Sequence, residues 1–195
     1  QILTVGHGSA FIAQVSMANS ANFFKAIING LDYRGAAFIQ SFTPCMPEHA
    51  IGDNTATQQT QLAKDSRAMV EFIYNPSLGE TDAECLNLKG NLSPNTDWAQ
   101  KTNKVTKEKY NFTVFHWAAT EGRFRNHIKK APADYKQTCI HLNDMLLRIT
   151  QQDVIARNVF NSTHLSYAPN FKVYANVEQP DGTIKPFVMS TQMVL

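Results

Sequence analysis

Residues 10–42 read AFIAQVSMANSANFFKAIINGLDYRGAAFIQSF, two short apolar runs on either side of a stretch with helical spacing. The runs at 10–17 and 36–42 have the length of strands, and between them apolar residues recur every three or four positions after a possible cap at Asn19 or Ser20. The second run is apolar enough for a strand covered on both faces. This order predicts a βαβ unit with a right-handed crossover, and hence an α/β fold with a mostly parallel sheet.

The middle of the chain has one more helical pattern and then loses periodicity. Residues 55–73 carry apolar side chains at helical spacing and predict a helix that stops before Asn75 and Pro76. Residues 76–109 are rich in Asn, Thr, Lys, Gly and Pro, which predicts a long irregular excursion over the surface. The aromatic stretch 112–117 is expected to anchor that irregular segment to the rest of the protein by packing.

The C-terminal part predicts a helix and a β-hairpin. Asn143 or Asp144 can open a helix that runs to Val159. Strand patterns at 171–177 and 183–189 then flank Gln-Pro-Asp-Gly, which is a strong turn signal.

Composition and charge argue against several functional classes. The chain of 195 residues has 18 basic and 16 acidic side chains, a net charge of +2 and no block of like charge, unlike a nucleic-acid or anionic-membrane binder. The densest basic stretch, 123–130 (RFRNHIKK), is predicted to be the solvated side of a helix, with phosphate binding as the alternative. No window approaches the roughly 20 apolar residues of a membrane span. Three sparse cysteines fit a reducing cytoplasm. Because both ends look cut, we expect a piece of a longer polypeptide.

Most short motifs favour a structural interpretation. The glycine-rich residues 6–9 precede a strand, which is the wrong order for a phosphate-binding loop, so a tight connection is expected. The six histidines show no spacing typical of metal ligands, and no catalytic residue can be assigned. Glu48 and Asp53 could form a carboxylate pair near the strand exit, although surface solvation explains them as well.

Cys45 is the one residue whose position indicates chemistry. It follows the apolar run 36–42 and lies between Pro44 and Pro47, which remove two backbone N–H groups and stiffen the segment. In parallel α/β sheets, functional groups lie just past the carboxyl ends of strands. An inert thiol and a ligand held in fixed geometry both remain open, while Cys85 and Cys139 are interpreted as structural.

The stretch from Phe11 to Cys45 resembles the late part of the thiamine-diphosphate-binding domain of pyruvate:ferredoxin oxidoreductases and related 2-oxoacid:ferredoxin (or flavodoxin) oxidoreductases. The resemblance is good over residues 1–75 and looser to about 130, where FTVFHWAATEGRFRNH is similar to a family region ending in Arg-Phe. The matching residues are Ala13, Val15, Ser16, Met17, Phe23, Ile27, Tyr33, Gly35, Phe38, Ile39, Thr43 and Cys45. The family usually continues after the cysteine with an Ile-Asn-x-Gly type of stretch, whereas this chain has Met46-Pro47-Glu48-His49.

The resemblance implies that residues 1–75 are the C-terminal half of a thiamine-diphosphate-binding domain. The residue pattern adds an irregular extension packed on that domain at residues 76–130, and a C-terminal helix and hairpin region at residues 131–195. The resemblance also implies that Cys45 is the last ligand of a 4Fe–4S cluster. The three other cysteine ligands of that cluster would lie outside this chain, and so would the motif that binds Mg²⁺ and diphosphate.

The implied activity is the oxidative decarboxylation of a 2-oxoacid such as pyruvate to an acyl-CoA. The implied partners are the remainder of the enzyme, coenzyme A and a ferredoxin or flavodoxin, in a dimer in the cytoplasm, without nucleic acid or membrane. The alternatives are a non-catalytic scaffold or interface subunit with an α/β fold, and a cluster-free thiamine-diphosphate enzyme in which Cys45 only packs.

Overall fold

The computed structural model describes residues 8–93, 96, 98–144 and 172–190. The chain divides into two compact units. Unit 1 comprises Gln1–Lys101 and Tyr110–Thr120, and unit 2 comprises Thr102–Lys109 and Glu121–Leu195. The three-part division expected from the sequence, at residues 1–75, 76–130 and 131–195, stays a prediction.

Unit 1 begins with the predicted strand–helix–strand order. Its regular elements are β1 (Phe11–Ser16), α1 (Ser20–Asp32), β2 (Ala37–Phe42), α2 (Met46–His49), α3 (Ala56–Asp65), β3 (Phe72–Tyr74), α4 (Asp82–Cys85), β4 (Leu86–Asn87), β5 (Ala99–Thr102), β6 (Lys109–Phe112) and α5 (Val114–Ala119). Helix α1 starts at the predicted cap, because the Asn19 side chain accepts a hydrogen bond from the Asn22 amide at 3.2 Å.

The main sheet of unit 1 is mixed, with the strand order β2-β1-β3-β4. Strands β1 and β2 run parallel, with Phe11 opposite Ala37 and Ser16 opposite Phe42, as the βαβ pattern predicts. Strand β3 lies antiparallel to β1, and β4 lies antiparallel to β3. The α/β class is therefore confirmed, but the prediction of a mostly parallel sheet is wrong, because the strands that follow α3 turn back along β1.

Strand β1, rather than β2, is the strand covered on both faces. One face of β1 packs Phe11, Ala13 and Val15 against Ala26 of α1 and Ile73 of β3. Its other face packs Ile12 against Tyr74 and Cys85. The burial predicted for both faces of residues 36–42 is wrong, because β2 lies at the edge of the sheet and its side chains are exposed or half-buried.

The helix predicted over residues 55–73 ends early. Helix α3 stops at Asp65, and Arg67 adopts a left-handed backbone with φ of 60°. The amide of Met69 then donates to the Ala63 carbonyl at 3.1 Å, a pattern that closes a helix C-terminus. The guanidinium of Arg67 donates to the carbonyls of Ser93 and Thr96, so distant backbone holds this turn in place. The residues after the turn are free to form β3.

The excursion at 76–109 contains short regular elements, namely a 3₁₀ turn at Pro76–Leu78 followed by α4, β4 and β5. Strand β5 pairs with β6 in a separate two-stranded sheet. The aromatic stretch 112–117 contributes buried Phe112, Phe115 and Trp117, and the Lys101 ammonium lies 4.1 Å from the centre of the Phe112 ring.

Unit 2 is built on a four-stranded sheet with the order β7-β10-β9-β8. Its elements are β7 (Ile128–Lys130), α6 (Tyr135–Thr138), β8 (Ile140–His141), β9 (Lys172–Glu178) and β10 (Ile184–Ser190). The predicted hairpin is present as β9 and β10, one residue later than expected at each start. The helix predicted from residue 143 to residue 159 lies largely outside the described residues.

The basic stretch 123–130 is not the side of a helix. It comprises the end of a 3₁₀ turn at Gly122–Phe124, a short connection and β7. Within the described part of the chain, no helix combines the length and the apolar character needed to cross a membrane.

Candidate functional site at the carboxyl ends of β1 and β2

The carboxyl ends of β1 and β2 lie side by side. Their parallel register pairs Ser16, the last residue of β1, with Phe42, the last residue of β2. The segments that follow, the turn at Met17–Asn19 after β1 and the Cys45 loop after β2, therefore leave the same edge of the sheet. This is the edge at which α/β folds place ligands.

The loop after β2 presents Cys45 on an ordered turn. Pro44 is fully buried, whereas Cys45 is exposed with a free thiol. The Cys45 carbonyl accepts a hydrogen bond from the His49 amide at 2.9 Å, which begins the one-turn helix α2. Ala50 ends this helix in the left-handed region with φ of 49°, and its amide donates to the Pro47 carbonyl at 3.2 Å. The backbone after the thiol is thus fixed by local hydrogen bonds, and the residue before it is buried.

A buried carboxylate, Glu71, lies at the same edge, just before β3. Its side chain is 0% exposed, and it forms an ion pair with Lys64 of α3 in which Nζ and Oε2 are 3.0 Å apart. Its Oε1 accepts a hydrogen bond of 2.5 Å from Ser16 Oγ, and Oε2 also accepts from Asn22 Nδ2 at 3.4 Å. One carboxylate therefore joins the end of β1, the first turn of α1 and the last turn of α3. We call these four residues, Ser16, Asn22, Lys64 and Glu71, the Glu71 cluster.

The backbone of Glu71 is held as firmly as its side chain. Its amide donates to Asn91 Oδ1 at 2.8 Å, and its carbonyl accepts from Asn91 Nδ2 at 2.6 Å. Gly90 has φ of 99°, and a Cβ atom there would lie 2.5 Å from Asn19 Nδ2 and 3.3 Å from Glu71 Oε2. Glycine is thus required both for the backbone conformation and for the close approach of this loop to the cluster.

The Glu71 cluster is suited to fixing the backbone at this edge of the sheet, rather than to providing a reactive group. Each carboxylate oxygen of Glu71 already has a partner within the chain, Ser16 at Oε1 and Lys64 with Asn22 at Oε2. A paired and fully hydrogen-bonded charge is the form in which proteins tolerate burial. The cluster fixes the Ser16–Asn22 segment at the edge that also carries Cys45.

The contacts of Glu71 were not predicted from the sequence. A signal was available, because Glu71 is a single carboxylate among Met69, Val70, Phe72 and Ile73. A charge inside an apolar run is almost never fully buried unless it is paired. The sequence does not indicate the partner, since Ser16 and Glu71 are 55 residues apart.

The other predicted site residues do not come together. Glu48 and Asp53 are both exposed, so the structure shows no buried carboxylate pair at the strand exit. Cys85 is buried, and its sulfur donates to the Gly79 carbonyl at 3.4 Å, which fits the structural role expected for it. Residues 6 and 7 of the glycine-rich motif lie outside the described residues, as does His164.

The described histidines are dispersed. His49 and His116 are buried in unit 1, and Nδ1 of His116 accepts a hydrogen bond from the Thr113 amide at 3.1 Å. His127 and His141 belong to unit 2. Among the residues with described positions, no three His, Cys, Asp or Glu side chains form a group that could hold a metal ion. Cys45 thus offers one thiolate, and a four-ligand cluster would need ligands from other residues.

One perturbed side chain, Tyr74, lies opposite Ile12, near the start of β1 and away from its carboxyl end. Burial, followed by a hydrogen bond of 3.2 Å from the Tyr74 hydroxyl to Asp82 Oδ1, raises the pKa of Tyr74 above 10.0. The phenol is therefore protonated at neutral pH, and its hydroxyl tethers β3 to α4.

Neither a protein-family model nor a curated protein sequence matches this chain.

Proposed function

We propose that this chain is the C-terminal part of the thiamine-diphosphate-binding domain of a 2-oxoacid:ferredoxin or flavodoxin oxidoreductase, with Cys45 as one ligand of a 4Fe–4S cluster. The observation that carries the proposal is the position of Cys45. Its exposed thiol follows a fully buried proline at the edge where two parallel strands end. The resemblance of residues 11–45 to this family supplies the identity of the cluster and of the reaction.

The residues of this chain would hold and enclose the redox centre. Thiamine diphosphate and the 4Fe–4S cluster, when bound, supply 2-oxoacid decarboxylation and one-electron transfer. Cys45 would donate its thiolate to iron, while buried Pro44 and the turn closed by Ala50 keep the sulfur in place. Since the resemblance places the motif for Mg²⁺ and diphosphate outside this chain, we assign these two groups to none of the described residues.

A proposed partner protein is supported by apolar surface on unit 1. Phe24, Ile28 and Leu31 of α1 recur at helical spacing and are 57%, 58% and 80% exposed. Strand β2 is a sheet edge and leaves Phe38 49% exposed. Exposed apolar stripes and open sheet edges are typical of surfaces that another protein covers.

We propose that the covering protein is the remainder of the enzyme, which would also supply the other cluster ligands. The proposal further includes a dimer, coenzyme A as acyl acceptor and a ferredoxin or flavodoxin as electron acceptor in the cytoplasm.

The test is Cys45→Ala in the enzyme purified anaerobically with its partner polypeptides. We expect loss or distortion of one cluster's electron paramagnetic resonance signal and a fall in iron and acid-labile sulfide. Cys139→Ala, which removes a half-buried thiol of unit 2, is the matched control and should change neither measurement. An unchanged signal in Cys45→Ala would refute the assignment. The absence of iron and sulfide from the wild-type complex would favour a scaffold or a cluster-free thiamine-diphosphate enzyme.

A further inference from the structure

Unit 2 contains a cleft of about 320 Å³ beside β7 and β10. This volume is within the range of about 300 to 1,000 Å³ that is usual for small-molecule sites. Its lining includes Lys129 of β7, Lys172 of β9 and His127, which directly precedes β7. The cleft thus gathers part of the basic stretch 123–130 with a lysine that is distant in the sequence.

The strand register explains why the two lysines share one face of the sheet. Lys129 lies opposite Val188 of β10, and Lys172 lies opposite Ser190, two residues further along the same strand. Residues paired across strands project to the same side, as do residues two apart on one strand. The intervening row, Ile128, Met189 and Val173, is buried and alternates to the other side of the sheet, and Met189 also borders the cleft.

The same register allows both ammonium groups to reach one ligand. Two strand spacings and a two-residue offset place the Cα atoms of Lys129 and Lys172 about 12 Å apart. Two extended lysine side chains that lean toward each other can contact a single anion across this distance.

The charges of the two lysines are not paired with any of the described residues that line the cleft. None of the described lining residues carries a carboxylate. Neither Lys129 nor Lys172 forms an ion pair with a residue whose position the structure describes. Asn126, His127 and Thr138 add groups that can donate hydrogen bonds, and Pro132 and Val188 form an apolar part of the wall. An anion with hydrogen-bond acceptors on several sides complements this lining.

We propose that the cleft binds the phosphate or diphosphate group of a small organic molecule. Lys129 and Lys172 contact the phosphate oxygens as point charges, which is a usual role for lysine at such sites. Pro132 and Val188 contact the organic portion of the ligand. The proposal uses residues of unit 2 alone and does not depend on Cys45 or on the proposed redox function.

The test is calorimetric titration of the full chain with inorganic pyrophosphate at constant ionic strength. We expect saturable binding that Lys129→Gln and Lys172→Gln each weaken at least about fivefold, since each removes a charge-assisted contact. Lys130→Gln is the matched control, because it removes the same charge from the next residue of β7, whose side chain projects to the other face. It should change the affinity less than about twofold.

Three results would overturn the proposal. They are an absence of saturable pyrophosphate binding, an equal loss of affinity in Lys130→Gln, and binding of chloride as tight as that of pyrophosphate. All replaced lysines are exposed, so each variant is expected to fold, and far-ultraviolet circular dichroism verifies this. Loss of pyrophosphate binding would leave the cluster signal of the Cys45 experiment unchanged.

Discussion

Replacing Glu71 with glutamine tests whether the buried cluster holds unit 1 together. The change keeps the size of the side chain but leaves the Lys64 ammonium without its counter-charge, and the Lys64 side chain is only 5% exposed. Removing one partner of a buried ion pair costs about 3–5 kcal/mol, because the remaining charge stays desolvated. The hydrogen bond from Ser16 also loses its charged acceptor. Against a typical total of about 5–15 kcal/mol, this loss is large.

The free energy of unfolding is measured by urea titration at neutral pH, with circular dichroism as the signal. Asp65→Asn is the matched control, because it makes the same carboxylate-to-amide change in a pair with Lys101 at the same distance of 3.0 Å. That pair is partly exposed, with side chains 19% and 29% accessible, so we expect a cost below about 1 kcal/mol.

A double-mutant cycle with Lys64→Met separates the ion pair from other effects of the substitutions. Lys64→Met alone should also be strongly destabilising, because it strips the buried Glu71 carboxylate of its cation. The double variant should lose at least about 2 kcal/mol less than the sum of the single losses. A stabilising role of the Lys64–Glu71 pair is refuted if Glu71→Gln costs no more than Asp65→Asn, or if the two single losses simply add.

Two further predictions concern the end of α2 and the cap of α4. Ala50→Gly should stabilise the protein by about 0.5–1 kcal/mol, because glycine adopts the left-handed conformation of residue 50 without strain. Ala21→Gly, at an exposed position of α1, should instead destabilise it by about 0.5–1 kcal/mol. Thermal unfolding of the two variants compares these effects, and equal destabilisation would contradict the strain at Ala50. Hydrogen bonds from the Thr81 amide and hydroxyl and from the Glu80 amide lower the pKa of Glu84 below 4.5. The stability that the ionised Glu84 side chain contributes is therefore fully present above pH 4.5, and it is lost as the pH falls through the lowered pKa of the folded state. Glu84→Gln should flatten this part of the stability–pH curve and Glu80→Gln should not, and an unchanged curve in Glu84→Gln would count against the cap.

The features that local physics controls were predictable from the sequence. The hairpin in unit 2 follows from its turn, in which Gly182 has φ of 81° and its amide donates to the Gln179 carbonyl at 2.9 Å. The β1–α1–β2 order follows from strand-length apolar runs around a capped helix. The position of Cys45 just past β2 follows from the proline that ends the strand pattern.

The end of α3 could not be predicted, because the apolar spacing continues past it. Arg67 stops the helix in a conformation that arginine rarely adopts, and the sequence around it contains neither glycine nor proline. Carbonyls of Ser93 and Thr96, more than 25 residues away, accept hydrogen bonds from its guanidinium. The free energy that overcomes helix propensity at this point comes from contacts that the local pattern does not contain.

Sequence alone thus determined the elements whose free energy depends mainly on neighbouring residues, namely β1, β2, the cap of α1 and the hairpin turn of unit 2. Only the tertiary structure decided which of two similar apolar runs is central, since burial depends on what packs against each strand. It also decided that Glu71 pairs with Lys64 and Ser16, because desolvating a carboxylate is favourable only when the chain brings its partners together.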